Sequence, residues 1–165
     1  MRACMRPLAV STLMVGVTLW AYPHTALGQA PAADPVVGTW KLNAAKSRFS
    51  PGPPFKSLTV KFEVAGHDIK VTSDAVDAEG KALHTEYTGS YDGKDYPITG
   101  SPTSDTVTLK KINARTSQRT DKKAGKVVGS YTRKVSAGGQ TLTVNQTGTD
   151  ANGKPIKNKL VLDKQ

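Results

Sequence analysis

Five residues combine types and spacing that could do chemistry together: Arg133, Arg115, Tyr131, Gln146 and Tyr87. A guanidinium is a planar fork that stays charged and can meet a carboxylate through two parallel hydrogen bonds. Phenol and carboxamide groups add neutral hydrogen bonds around it. The chemistry this set suits is the recognition of an anionic headgroup. Its geometry follows from the hairpin at Gly138-Gly139. Pairing Ala137 with Gln140 puts Val135 opposite Leu142, Arg133 opposite Val144 and Tyr131 opposite Gln146, all on one face. The apolar members mark that face as the inner one. A preceding turn near Lys123-Ala-Gly125 sets Arg115 beside Arg133 and Arg119 beside Gly129, also facing inward. A slip of one residue would put both outside. A buried arginine without a partner is costly, so an inward Arg133 requires a ligand or an acid beside it.

Bond-making chemistry has weaker support. His84 and Glu86 share a strand phase and could hold a metal with His67 or Asp68, but a solvated strand face is the plainer account of them. No Gly-x-Ser-x-Gly elbow occurs, and no glycine-rich phosphate loop precedes a helix. Most acids stand in turn sequences, where Asp serves local hydrogen bonding. The expectation is a binding protein with no catalytic residues, no metal and no cofactor.

The elements that must position the arginines are strands. Leu58, Val60, Phe62 and Val64 alternate with polar residues, as do Ile69 with Val71, Leu83 with Tyr87, Val107 with Leu109, and Leu142 with Val144. Val127, Tyr131 and Val135 share a phase, and Ile156, Leu160 and Leu162 close the chain. A period of two means strands with one buried face. Turn chemistry separates them at Ala65-Gly66, Glu79-Gly80, Asp92-Gly93, Ala124-Gly125, Gly138-Gly139 and Asn152-Gly153. Asn43 can cap one short helical turn after the first strand. The stretch from Arg115 to Lys123 lacks large apolar residues and is either a solvated strand or one facing a polar interior. Short connections force antiparallel neighbours, and closure removes exposed edges. The pattern predicts an all-β protein: an antiparallel up-and-down β-barrel of about 8–10 strands, with a two-sheet sandwich as the alternative.

Residues 1–28 have the layout of a signal peptide: Arg2 and Arg6, an apolar run from Leu8 to Ala21, and Ala26-Leu-Gly28 before Gln29. Residues 29–35 read as a flexible linker and 36–165 as a single barrel domain. The expected location is periplasmic or extracellular after cleavage near Gly28-Gln29, with no transmembrane segment in the mature chain. Loss of Arg2 and Arg6 takes the formal charge from +10 to +8. Cys4, the single cysteine, leaves with the same segment, so a mature disulfide or zinc-thiolate site is excluded. The basic runs Lys110-Lys111 and Lys122-Lys123 carry no interleaved aromatics, and no nucleic acid partner is expected.

Gly38-Thr-Trp40-Lys-Leu42 resembles the Gly-x-Trp signature that opens the calycin barrels, the lipocalins and fatty-acid-binding proteins. Tyr131-Thr-Arg133-Lys-Val135 followed by Thr141-Leu-Thr-Val144 is similar to the late-strand pattern of the fatty-acid-binding branch. The connection after the first strand carries Pro51, Pro53 and Pro54 where that branch has a helix-turn-helix lid. The last strand has Lys159-Leu-Val161 where it has Arg-x-Tyr. The resemblance implies a barrel that binds a small hydrophobic, amphipathic or anionic molecule without covalent attachment. It also implies that Arg133 packs on Trp40 to close one end. The alternative is a cell-envelope interaction module with a filled barrel and a basic outer surface.

Overall fold

The computed structural model describes residues 34–150 and 152–165. The leader and the first five residues of the linker lie outside the described residues. Ten strands follow one another: β1 (Gly38–Leu42), β2 (Ser57–Ala65), β3 (Asp68–Val76), β4 (Ala82–Gly89), β5 (Asp92–Thr99), β6 (Thr106–Asn113), β7 (Thr116–Lys123), β8 (Lys126–Val135), β9 (Thr141–Thr149) and β10 (Pro155–Lys164). Each pairs antiparallel with its sequence neighbours, and β1 pairs with β10, so the sheet closes into an up-and-down barrel. This is the antiparallel up-and-down barrel the alternation implies, and the sandwich is set aside. A 3₁₀ turn, Ala44–Lys46, follows β1, with the Asn43 side chain accepting from the Lys46 N–H at 3.2 Å.

The core is the inner face. Trp40, Phe62, Val71, Leu109, Leu142 and Leu162 are almost fully removed from water, which supplies most of the driving force for folding. The Trp40 indole N–H donates to the Val36 carbonyl at 2.7 Å, so burying the ring leaves no orphan donor. Asp34 and Pro35, the last two residues of the linker, sit against the barrel. Asp34 accepts from Val36 N–H and pairs with Lys111 at 2.5 Å, which holds buried Val36 against one end.

Two positions depart from the alternation. Val64 shares its phase with Phe62 but lies past the last residue of β2 that pairs with β1, and is exposed. Val127 is exposed because β8 carries a bulge: Asp121 faces Gly129 while Lys122 faces Val127. The extra residue inverts the facing of everything before it.

Candidate functional site

The β8–β9 register is the one the Gly138-Gly139 hairpin requires. Val135 faces Leu142, Arg133 faces Val144 and Tyr131 faces Gln146. Arg133 is therefore buried, at 6% exposure, with the inner face around it.

The β7–β8 register differs from the sequence expectation by two residues, from two causes. The hairpin turns on Ala124-Gly125, both at positive φ, which pairs Lys123 with Lys126. The bulge then adds a second step. Ser117 comes to lie opposite Arg133, and Arg119 opposite Tyr131 rather than Gly129. Two single steps preserve parity, so Arg119 faces inward. Arg115 does not. It stands in the exposed turn between β6 and β7, where its N–H is held by the Asn113 side chain, and it takes no part in the interior.

Arg119 and Arg133 have different surroundings. Arg119 is stacked between the rings of Tyr87 and Tyr131, at 4.9 and 4.6 Å from their centroids. Its Nε and Nη2 donate to the two carboxylate oxygens of Asp121 at 2.5 Å each. Asp121 is 3% exposed and also accepts from the Ser104 hydroxyl at 3.3 Å. Burial acts to lower the Arg119 pKa, but the tyrosines and Asp121 outweigh it and the net shift is upward. This pair is neutral overall.

Arg133 lies over Phe62, 5.2 Å from the ring centroid, and its Nη2 donates to the Tyr87 hydroxyl at 2.8 Å. Among the described residues no carboxylate is within ion-pair distance of it. Beside it is a cavity of about 90 Å³ walled by apolar side chains that include Phe62, Val71, Leu142, Val144 and Leu160, with Ser73, Arg119, Tyr131 and Arg133 as its polar groups. Gln146 donates to the Tyr131 hydroxyl at 3.2 Å and accepts from Asn158 at 3.1 Å, a chain that fixes the phenol. Burial, followed by the charge of Asp121, raises the Tyr131 pKa, so the phenol stays protonated and can donate.

The expectation that Arg133 packs on Trp40 is corrected. The cation over the Trp40 ring is Lys164, at 5.2 Å. The row through Arg133 and Val144 crosses β10 at Leu160, four residues before the Lys164 that faces Trp40. At about 3.3 Å per residue, that is about 13 Å along the strand.

The structure thus brings Arg133, Tyr87, Tyr131 and Gln146 to one interior, adds Arg119, and leaves out Arg115. Asp121 is the residue the sequence reading missed. Its signal was present, because Arg119 and Asp121 are two apart on one strand and must share a face. His84 lies outside, paired with Asp74 at 2.6 Å, and His67 is in an exposed turn.

No protein-family model and no curated protein matches the chain. Among solved structures, zebrafish ileal bile acid-binding protein complexed with cholic acid is similar at 12% identity. That match covers 79% of this chain and 99% of the other, with a TM-score of 0.46. A redesigned β-barrel bound to DFHBI is similar at 12% identity over 82% of this chain and 100% of its own, with a TM-score of 0.41. The siderocalin Ex-FABP is similar at 11% identity over 79% and 74%, with a TM-score of 0.35.

Proposed function

We propose that the barrel takes up a compact monoanionic molecule, a carboxylate with a small apolar body, and that Arg133 is its counter-ion. One observation carries this: Arg133 is buried and, among the described residues, has no carboxylate within ion-pair distance, while Arg119 on the neighbouring strand donates to both carboxylate oxygens of Asp121. The wall of the cavity therefore carries one positive charge without a carboxylate partner, at Arg133, facing apolar side chains. A carboxylate there would accept from Arg133 and from the Tyr131 phenol while its apolar part met Phe62, Leu142 and Leu160. The volume equals on the order of six waters at about 15 Å³ each. It suits an acid of about six non-hydrogen atoms, such as butyrate, and the larger hexanoate needs side chains to move. The proposed setting is the periplasm or the extracellular space. The support for that is the leader-like residues 1–28, and N-terminal sequencing of the protein from its host's envelope tests it.

The test is calorimetric titration of the mature protein with butyrate and hexanoate, against butanol and hexanol. Preference for the acids that disappears in Arg133→Met, with the fold retained by circular dichroism, supports the reading. Equal binding of acids and alcohols, or binding unchanged in Arg133→Met, overturns it.

A further inference from the structure

The lysines are scattered in the sequence but gathered by the fold. On β2–β4 the outer face is balanced: Lys61 pairs with Glu63, Lys70 with Glu86, and His84 with Asp74. The other half of the barrel has a different composition. One outer row crosses five strands as Lys110, Gln118, Thr132, Asn145 and Lys159. The next runs Thr108, Thr120, Ser130, Thr147 and Lys157, with Lys134 and Thr143 on the far side of the first. These two rows and the Lys134–Thr143 pair contain no acid. The acids at the margins are engaged: Asp92, which faces Lys110 from β5, with Lys94, Asp95 with Lys122, Asp105 with the Ala124 N–H, and Asp150 with the turn at Asn152–Lys154. Lys110, Lys134, Lys157 and Lys159 have no carboxylate partner among the described residues.

The same face carries a depression of about 200 Å³, lined by Gly93, Thr108, Lys110, Gln118, Thr120 and Lys122. It forms where β5 shifts register against β6 between Asp92 and Asp95, and where Gly93 contributes no side chain.

We propose that the outer face of β6–β10 binds a linear acidic polysaccharide, with the Gly93 depression seating one of its sugars. Ammonium groups set apart by hydroxyls and carboxamides complement a chain whose carboxylates are set apart by hydroxyls. The chemistry disfavours other polyanions. No aromatic side chain stands in these rows to stack a base, and no arginine to grip a phosphate as a fork. On this face the exposed large apolar residues, Ile112 and Val127, stand at opposite ends of the barrel, too far apart to enter a bilayer together, and Val64 is on β2, outside the face.

The experiment measures binding of the mature protein to alginate, a polyuronate, at low and high salt, with single-stranded DNA and phosphatidylglycerol vesicles in parallel. Lys110→Gln, Lys134→Gln and Lys159→Gln combined should weaken alginate binding by about a hundredfold at low salt. Lys56→Gln, Lys61→Gln and Lys70→Gln combined, which remove the same charge from elsewhere, should leave it within about twofold. Arg133→Met should bind alginate as the parent does, which separates this face from the interior site. Equal loss in the two triple variants, no alginate binding at low salt, or tighter binding to the DNA or the vesicles overturns the proposal.

Discussion

Arg119 and Arg133 enter the same interior from adjacent strands, and only Arg119 meets a carboxylate. Its two hydrogen bonds to Asp121 and its place between Tyr87 and Tyr131 make it a fixed part of the wall. Tyr87 joins the two arginines, since its ring lies under one and its hydroxyl accepts from the other. The wall therefore carries charge at Arg133 without the interior having to unfold to expose it.

Asp121→Asn should cost about 3–5 kcal/mol of stability, because it strands Arg119 in the core. Asp121→Asn combined with Arg119→Met should recover part of that loss. Urea unfolding of the two variants and the parent measures the difference.

Lys164→Met should lower stability by about 0.5–1 kcal/mol through loss of the cation over Trp40. Arg133→Met should leave the Trp40 environment unchanged. Tryptophan fluorescence of each variant, read beside its urea midpoint, separates the two sites.

Tyr91 supplies a pH test. Its pKa is pushed up to about 12 from 10.0, first by burial and then by the charge of Asp34. The unfolded chain releases this proton before the folded one, so the contribution is complete below pH 10.0 and disappears as pH rises to about 12. The loss should approach about 2 kcal/mol, and Tyr91→Phe should flatten it. Chemical denaturation across that alkaline interval measures both.

Gly148→Ala should destabilise the protein by roughly 2 kcal/mol or more. Gly148 has φ +155°, and a Cβ there would lie 2.4 Å from the Val128 carbonyl oxygen at the β8 bulge. Because that bulge sets Arg119 opposite Tyr131, the variant should also disturb the near-ultraviolet signal of Tyr131. Circular dichroism and thermal unfolding check the two effects.

The sequence was most legible where a turn dictates a register. The β8–β9 hairpin could be laid out residue by residue from its glycines and alternation, and Arg133, Tyr131 and Gln146 came with it. The β7–β8 hairpin resisted because a bulge has no sequence mark as plain as a turn: Val127-Val128 reads as uninterrupted strand. Parity survived only because the tighter turn and the bulge each moved the register by one. Arg115 was misplaced for a different reason: it belongs to the turn that joins β6 to β7, and the strand begins only at Thr116. The cation on Trp40 was out of reach for another reason. Which residue of β10 meets β1 depends on closure of the whole barrel, and no local pattern specifies it.

That closure joins the first strand to the last. Gly38–Leu42 finds one of its two partners only in residues some 120 positions later, at Leu162–Lys164. Every other strand pair can form as the chain is delivered in order, from one end to the other. Until β10 arrives, both the β1 edge and the β9 edge are unpaired and sticky. A chain threaded through a pore would thus hold an open sheet for the whole of its passage, and completing the ring would be its final act.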